Sequence, residues 1–569
     1  MAEYATSRPR VLGWLRSAAI LDGDWGTSVA YVMGLGFALA GYASIWHLLA
    51  MMVLTSLVAI NYVTVCRLYP NGGGVYASLY HRSQLLAVVG ALLLAADYIV
   101  TIALSVLDAC HYFGLQDPSY WAIGIILAIG VINWFGPKHS GVLAIVISVA
   151  TLATLLTIVV ASAPTAITTP RILPPGGGFF HNWAIFTGFV LSLSGIEAIS
   201  NMTGLMRDPS RDSRWAILSV LTKVVAINIF LGLAMLAVKG LQPGEHVADM
   251  LRFLGEHYVG QWFGWFVAVS LGLLLISAGN TALNGLISVQ FLMAVDRELP
   301  ISLRKLNRHG VPVIPFLLTT LAPVLVLTLV TDVQTMSHLY AIGVVGAITI
   351  NLGSTATDKT VSLSKPLKLL TMISAVILFF VEISIAVEKT QATIFAAIIL
   401  TIGLGARYIA KRRAVAIPAP VIAQPAVIRK RRRPAMPAAK YLLALKDAND
   451  RLLKFAIEEA RQRKALLFVL RVKEISVGVL PERLAMITNG VEEHIDQLCS
   501  DAGVDYQIIS IPSYEVGYTI AEQAATFGVD RVILGATRRN VLENMLRGSV
   551  IRSLSSYLPE DVQLIIFGG

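Results

Sequence analysis

Two stretches decide the fold of this chain: residues 23–31, GDWGTSVAY, and residues 191–204, LSLSGIEAISNMTG. Each interrupts an apolar run with glycine, an acidic residue and hydroxyl side chains. Unwound backbone is tolerated within a bilayer only where it lines a cavity or a binding site. In transporters built from inverted repeats, a pair of broken helices marks the substrate site near the middle of the membrane. The two stretches therefore predict a transporter with a central site.

Composition supports a large membrane domain. The 569 residues are 56% hydrophobic and 14% charged, with a mean hydropathy of +0.69, whereas soluble domains carry about 25% charged residues. Apolar stretches of about 20 residues, enough to cross a bilayer, recur through residues 1–410. They predict about twelve transmembrane helices near residues 25–41, 46–66, 86–108, 119–135, 142–163, 183–204, 215–239, 261–294, 313–331, 334–353, 368–387 and 391–409.

Basic residues are distributed unequally between the predicted loops of the two sides. This asymmetry places the basic loops and both termini in the cytoplasm, with the bundle in the cell membrane. It also accounts for the net charge of +10 without a nucleic-acid partner. The basic loops contain Arg67, Arg82, Arg207, Arg211, Arg214, Arg297, Arg304, Lys305, Arg308, Lys359, Lys365 and Lys368, and the opposite loops Arg171, Lys239, Arg252 and Lys389.

The C-terminal part of the chain has a different pattern. Residues 411–438 are basic and rich in proline and alanine, which predicts an extended linker. From residue 439 to residue 569, short β-branched runs alternate with helical patterns that begin near residues 449, 482, 515 and 539. This alternation predicts a small cytoplasmic α/β domain with a doubly wound parallel sheet. The predicted strands are residues 441–445, 465–472, 506–511, 531–536 and 562–567.

Three acidic residues fall inside predicted transmembrane helices: Asp24 in the first, Asp97 in the third and Glu197 in the sixth. Ionisable groups in the membrane are costly, so they indicate function by default. A single one of them could instead form an ion pair with a lysine such as Lys223. Three acids beside two broken helices are not explained in that way.

Hydroxyl groups accompany these acids. Tyr98, Thr101 and Ser105 share one face of the third helix, and Ser194 lies three residues before Glu197. Carboxylate and hydroxyl oxygens suit a hard cation or a proton relay. The alternative for each hydroxyl is a helix-packing role.

The first break resembles the Gly-Asp-x-Gly-Thr-Ser-x-x-Tyr signature of the KUP/HAK/KT potassium uptake permeases, within the amino acid–polyamine–organocation superfamily. The third-helix and sixth-helix patterns resemble the KimA-type branch of that group. The resemblance implies a LeuT-like five-plus-five inverted repeat with two added helices, potassium–proton symport, and a homodimer joined by the cytoplasmic domains. The matching signature positions are Gly23, Asp24, Gly26, Thr27, Ser28 and Tyr31.

The same resemblance implies functional residues. Asp97 and Glu197 would couple transport to the proton. The potassium ion would be bound by Asp24, Tyr31, Tyr98, Thr101, Ser105, Ser194, Glu197 and Tyr340.

The C-terminal domain resembles the universal stress proteins. Gly535, Gly548 and Ser549 match the phosphate loop of that family, Arg538 replaces its middle glycine, and Asp447 matches its adenine- and ribose-contacting acid. Glycines let backbone amides approach a phosphate. Nucleotide binding is therefore one alternative for this domain, and dimer contacts without a ligand are the other; no cofactor is expected elsewhere.

Other functions remain as alternatives. The loop at residues 296–312, DRELPISLRKLNRHGVP, looks equally like that of amino acid permeases, so an amino acid or amine–proton symporter is the runner-up. A channel would lack proton dependence, and a nucleotide sensor would leave the acids unexplained. The sequence contains no G-x-S-x-G or H-E-x-x-H motif, which argues against a membrane enzyme.

Overall fold

A computed structural model describes residues 10, 12–136, 141–361, 363–415, 439–446, 450–475, 491–513, 515–536 and 541–568. The N-terminal part is helical. Its helices are α1 Trp14–Asp22, α2 Ser28–Ala40, α3 Ser44–Leu68, α4 Gly74–Tyr80, α5 Gln84–Tyr112, α6 Pro118–Trp134, α7 Gly141–Thr168, α8 Phe179–Gly188, α9 Ala198–Met202, α10 Pro209–Ala237, α11 Met250–Tyr258, α12 Gln261–Val295, α13 Val313–Leu329, α14 Val333–Thr357, α15 Lys365–Glu388 and α16 Thr390–Val415.

Each predicted span lies on helix over most of its length, and the spans near residues 25–41 and 183–204 also contain irregular backbone. Within the described residues, nine helical stretches are long and apolar enough to cross a membrane, and one of them, Trp25–Leu68, contains the first two predicted spans. The shorter apolar helices Pro118–Trp134 and Val313–Leu329 correspond to two more. The predicted helical membrane domain is confirmed; that twelve helices cross the bilayer stays a prediction.

Helix α5 lies at the centre of the bundle and is buried along most of its length. Glycines let its neighbours approach closely. A Cβ atom at Gly343 of α14 would lie 2.6 Å from the backbone nitrogen of Asp97, and one at Gly285 of α12 would lie 2.8 Å from the Tyr98 ring. Small residues at such contacts permit tight helix packing in membranes. The packing therefore holds Asp97 and Tyr98 against α14 and α12.

The C-terminal domain is a five-stranded parallel sheet in the order β3-β2-β1-β4-β5. Separate apolar clusters cover its two faces, with Leu443, Leu453 and Ile495 on one and Leu442 and Ile520 on the other. The predicted doubly wound sheet is confirmed. Its elements are β1 Lys440–Leu445, α17 Asp450–Gln462, β2 Leu466–Glu474, α18 Val491–Asp501, β3 Tyr506–Ser513, α19 Val516–Phe527, β4 Arg531–Gly535, α20 Val541–Arg547, α21 Val550–Tyr557 and β5 Gln563–Phe567.

One predicted helix differs. The pattern from residue 539 predicts one continuous helix, but the structure has two, α20 and α21. Gly548 lies between them with a φ of +70°, a conformation that side chains disfavour. Ser549 then caps α21 by accepting a hydrogen bond from the backbone N–H of Arg552 at 3.4 Å. The predicted start of α18 near residue 482 lies outside the described residues.

The α/β domain contacts the loop between α12 and α13. His309 Nδ1 of this loop lies 3.3 Å from Glu543 Oε1 of α20, and Ile475, just after β2, packs into the apolar core of the helical domain. The same loop is tied to α16 through Glu298, whose carboxylate is bonded by Arg407 at 2.6 Å and by Lys411 at 2.5 Å. The domain therefore lies on the side of the membrane domain that carries this basic loop.

The close contact at Gly343 gives a testable prediction. We expect Gly343→Ala to lower the apparent Tm of the detergent-purified protein by several degrees, because its Cβ would force α14 away from Asp97. The matched control is Gly353→Ala on the same helix, where nothing lies within 4 Å of a new Cβ. The control should melt at the wild-type temperature or above, since alanine favours helix over glycine. Equal Tm values for both variants in a fluorescence-detected melt would contradict the described packing.

Candidate functional site

The two predicted breaks lie against each other. The first consists of Gly23, Asp24 and a 3-10 turn at Trp25–Thr27, and the second of a 3-10 turn at Phe189–Leu193 and the residues up to α9. Trp25 Nε1 donates a hydrogen bond to the backbone oxygen of Ser192 at 3.0 Å. Gly195 has a φ of +83°, and a Cβ there would lie 2.5 Å from the Trp25 backbone nitrogen. The breaks therefore form one region of irregular backbone.

Three carboxyl groups are buried around this region. Asp24, Asp97 and Glu197 are at most 5% exposed, and the charges of all three lie within electrostatic range of one another. The carboxyl groups of Asp97 and Glu197 face each other directly. Among the described residues, one carboxyl oxygen of each acid has no hydrogen-bond partner: Asp24 Oδ2, Asp97 Oδ2 and Glu197 Oε2. Buried like charges are stable only when a cation or a proton compensates them.

Hydroxyl groups from α2, α14 and the two breaks lie near the acids. The Tyr31 phenol of α2 faces Thr27 and Ser194, and Tyr340 of α14 lies within electrostatic range of all three acids. The hydroxyls of Ser194 and Tyr340 are buried and have no hydrogen-bond partner in the part of the chain that the structure describes. The structure thus brings together the predicted residues Asp24, Tyr31, Asp97, Ser194, Glu197 and Tyr340.

Two other predicted residues of α5, Thr101 and Tyr98, make hydrogen bonds within the protein. Thr101 Oγ1 donates to the backbone oxygen of Asp97 at 2.9 Å and lies 3.2 Å from its Oδ1. The Tyr98 hydroxyl accepts a hydrogen bond from Asn201 Nδ2 at 2.7 Å. Ser105 is buried further along the same face. In this conformation Thr101 orients Asp97, and Tyr98 joins α5 to α9.

Lys223 does not neutralise the three acids. Its Nζ lies 2.6 and 2.7 Å from the two carboxylate oxygens of Asp22, and Ser148 Oγ donates to Asp22 Oδ2 at 2.5 Å. This buried pair joins α1, α7 and α10 next to the first break. A Cβ at Gly26 would overlap Asp22 Oδ1, so this signature glycine leaves room for the pair. Asp22 is not among the predicted site residues, because only its position two residues before Asp24 marks it in the sequence.

The predicted nucleotide site is partly described. Gly535 ends β4, and Gly548 and Ser549 form the turn between α20 and α21. Asp447 and Arg538 lie outside the described residues. Within the described ranges, no group of three His, Cys, Asp or Glu side chains converges as a set of metal ligands.

Paired broken helices around a buried polar site, in an apolar bundle, define a membrane transporter. The family model for amino acid permeases matches residues 12–404, and the chain belongs to that family. The model for the universal stress protein family matches residues 442–565. Both matches confirm the predicted superfamily and the predicted stress-protein-like domain.

The chain is also similar to a curated protein, the potassium transporter KimA of Bacillus subtilis (strain 168). The two are 24% identical over 311 residues. The match covers 50% of this chain and 51% of KimA, so this chain spans about half the length of that relative.

The Asp22–Lys223 pair gives a prediction about stability. Lys223→Met should lower the apparent Tm strongly, since removing one partner of a buried ion pair costs about 3–5 kcal/mol. The double variant Asp22→Asn with Lys223→Met leaves no unpaired charge and should recover most of the loss. The measurement is the thermal melt of the two purified variants beside the wild type. A double variant that melts no higher than Lys223→Met would show that the pair is not the cause.

Proposed function

We propose that this protein imports potassium ions by proton symport. The observation that carries the proposal is the group of buried oxygen atoms without partners around the two breaks: carboxyl oxygens of Asp24, Asp97 and Glu197, and the hydroxyls of Ser194 and Tyr340. Carboxylate and hydroxyl oxygens are hard ligands that suit an alkali cation. Since Lys223 is bonded to Asp22, it does not balance these carboxylates when they are ionised, and a bound cation would.

The position of Asp24 argues against an amino acid as the substrate. Permeases that bind an amino acid hold its carboxylate at the free amides and helix N-terminus of the first break. Here the Asp24 carboxyl group lies at that break, within 2.8 Å of where a Cβ of Gly195 would be. A substrate carboxylate would meet a negative charge there. A potassium ion would be attracted by the same charge.

The similarity to KimA supports the same conclusion. KimA is a potassium transporter, and it matches half of this chain at 24% identity. Asp24, Tyr31 and Glu197, three of the residues on which the resemblance rests, lie around the two breaks.

We assign the proton to the facing carboxyl groups of Asp97 and Glu197. Two carboxylates that share a dry site repel each other, and one bound proton relieves the repulsion. A potassium ion bound by Asp24 and the nearby hydroxyls would change the charge balance of this pair. Binding of the ion and binding of the proton would thereby be linked.

The remaining organisation is proposed on the same basis. Residues 1–410 form the transport domain, residues 411–438 the linker, and residues 439–569 the cytoplasmic domain that joins two chains in a homodimer. The contact between His309 and Glu543 supports a cytoplasmic position for this domain, because it lies at a basic loop. Both termini would then be cytoplasmic and the bundle would lie in the plasma membrane. Gly535, Gly548 and Ser549 are the candidate contacts for a nucleotide.

A second candidate is symport of an amino acid or amine with a proton. The match of residues 12–404 to the amino acid permease model favours it. Of these substrates, an amine agrees best with the site, because its ammonium group would pair with Asp24.

The test is growth of a potassium-uptake-deficient bacterium at micromolar potassium. Wild-type protein should restore growth, and Asp24→Asn should not, because it removes the charge that binds the ion while keeping the size of the side chain. Asp117→Asn is the control, since Asp117 is exposed at the N-terminus of α6. Growth with Asp24→Asn at the wild-type rate would show that the first break does not bind the ion. No growth with wild-type protein present in the membrane would favour amino acid or amine transport.

A further inference from the structure

A fourth buried acid, Asp108, lies on α5 beyond the proposed ion site. It is 0% exposed, and neither of its carboxyl oxygens has a hydrogen-bond partner among the residues that the structure describes. On a helix, Asp97, Thr101, Ser105 and Asp108 fall on one face. With a rise of about 1.5 Å per residue, Asp108 lies about 4.5 Å along the axis beyond Ser105. The polar stripe of α5 therefore continues past the central site towards the end of the helix.

Helix α2 connects the central site with Asp108. The Tyr31 side chain lies within electrostatic range of both Asp24 and Asp108. The Tyr112 hydroxyl, one turn beyond Asp108 on α5, donates to the backbone oxygen of Ala30 at 2.8 Å. Tyr31 is thus an aromatic residue near both acids, next to the point where α2 and α5 are in direct contact.

The segment around α11 covers the far side of Asp108. A Cβ at Gly34, one turn after Tyr31, would overlap the backbone oxygen of Val247. From the same segment, Arg252 Nη1 donates to the backbone oxygen of Tyr112 at 3.1 Å. By the predicted topology this segment is extracellular. Its Asp249 lies near enough to Asp108 for the two charges to interact.

The charged groups near Asp108 do not compensate it. Asp249 adds a second negative charge and is bonded to His246 at 3.0 Å. Arg252 forms its ion pair with Glu256, also at 3.0 Å. His111 is one turn away, and its buried Nε2 has no partner in the structure. Among the described side chains, none donates a hydrogen bond or an ion pair to the Asp108 carboxyl group.

We propose that Asp108 forms an outer binding site for a monovalent alkali cation, separated from the central site by Tyr31. The ion would bind there after entering from the α11 side, and would pass Tyr31 to reach Asp24. A dehydrated cation supplies the charge balance that no side chain provides. The inference rests on the proposed potassium transport, and it assigns loading of the ion to a residue outside the central site.

The test is uptake of radioactive rubidium by cells that express the full chain, over a range of rubidium concentrations. Asp108→Asn should raise KM by about tenfold or more while the maximal rate falls less than about threefold, because loading is weakened and the central site is intact. Asp108→Ser should likewise raise KM by more than it lowers the maximal rate. Asp24→Asn should instead remove uptake at every concentration. The control Asp117→Asn should match the wild type.

The outcomes separate the two proposals. Wild-type uptake together with wild-type KM in both Asp108 variants would overturn the outer site and leave potassium transport standing. A fall in maximal rate without a change in KM would also overturn it, since Asp108 would then act during translocation. Absence of rubidium uptake by the wild type would overturn the proposed transport and the outer site with it. The amount of each variant in the membrane and its melting temperature show whether it is folded.

Discussion

A buried carboxylate in a membrane must be compensated, and this constraint governs the arrangement of the bundle. The chain satisfies it in two ways. Asp22 is compensated within the protein by Lys223 and Ser148. Asp24, two residues later, has an oxygen without a partner and faces other acids. The first arrangement fixes α1 to its neighbours, and the second leaves a charge that a transported ion can balance.

The helix breaks bring these two arrangements together. Because α1 ends at Asp22 and α2 begins at Ser28, the residues between them leave the regular α-helical hydrogen-bond pattern; the Asp24 N–H, for example, donates to the backbone oxygen of Leu21. Trp25 and Gly195 fix the two breaks together, and Gly343 lets α14 approach Asp97. Close glycine contacts thus determine how near the acids can come. The site depends on backbone packing as much as on its polar residues.

Much of this could be predicted from the sequence. Apolar length locates the helices, and the alternation of strands and helices after residue 439 predicts the parallel sheet, since both depend on local periodicity. Motifs in the sequence predict the grouping of Asp24, Tyr31, Asp97, Glu197 and Tyr340. That these residues bind an ion stays a prediction. The partner of Lys223 could not be predicted, because contacts between distant helices leave no local pattern. The turn at Gly548 was missed because a helical periodicity continues across it.

The most direct test of the central claim is coupled movement of potassium and protons in liposomes that contain the purified protein. A pH-sensitive dye inside the liposomes reports the internal pH. A permeant anion outside balances the positive charge that enters. We predict that adding potassium outside acidifies the interior of wild-type liposomes. Liposomes with Glu197→Gln should show potassium entry without acidification. Acidification by amino acids or amines, with no response to potassium, would contradict the account.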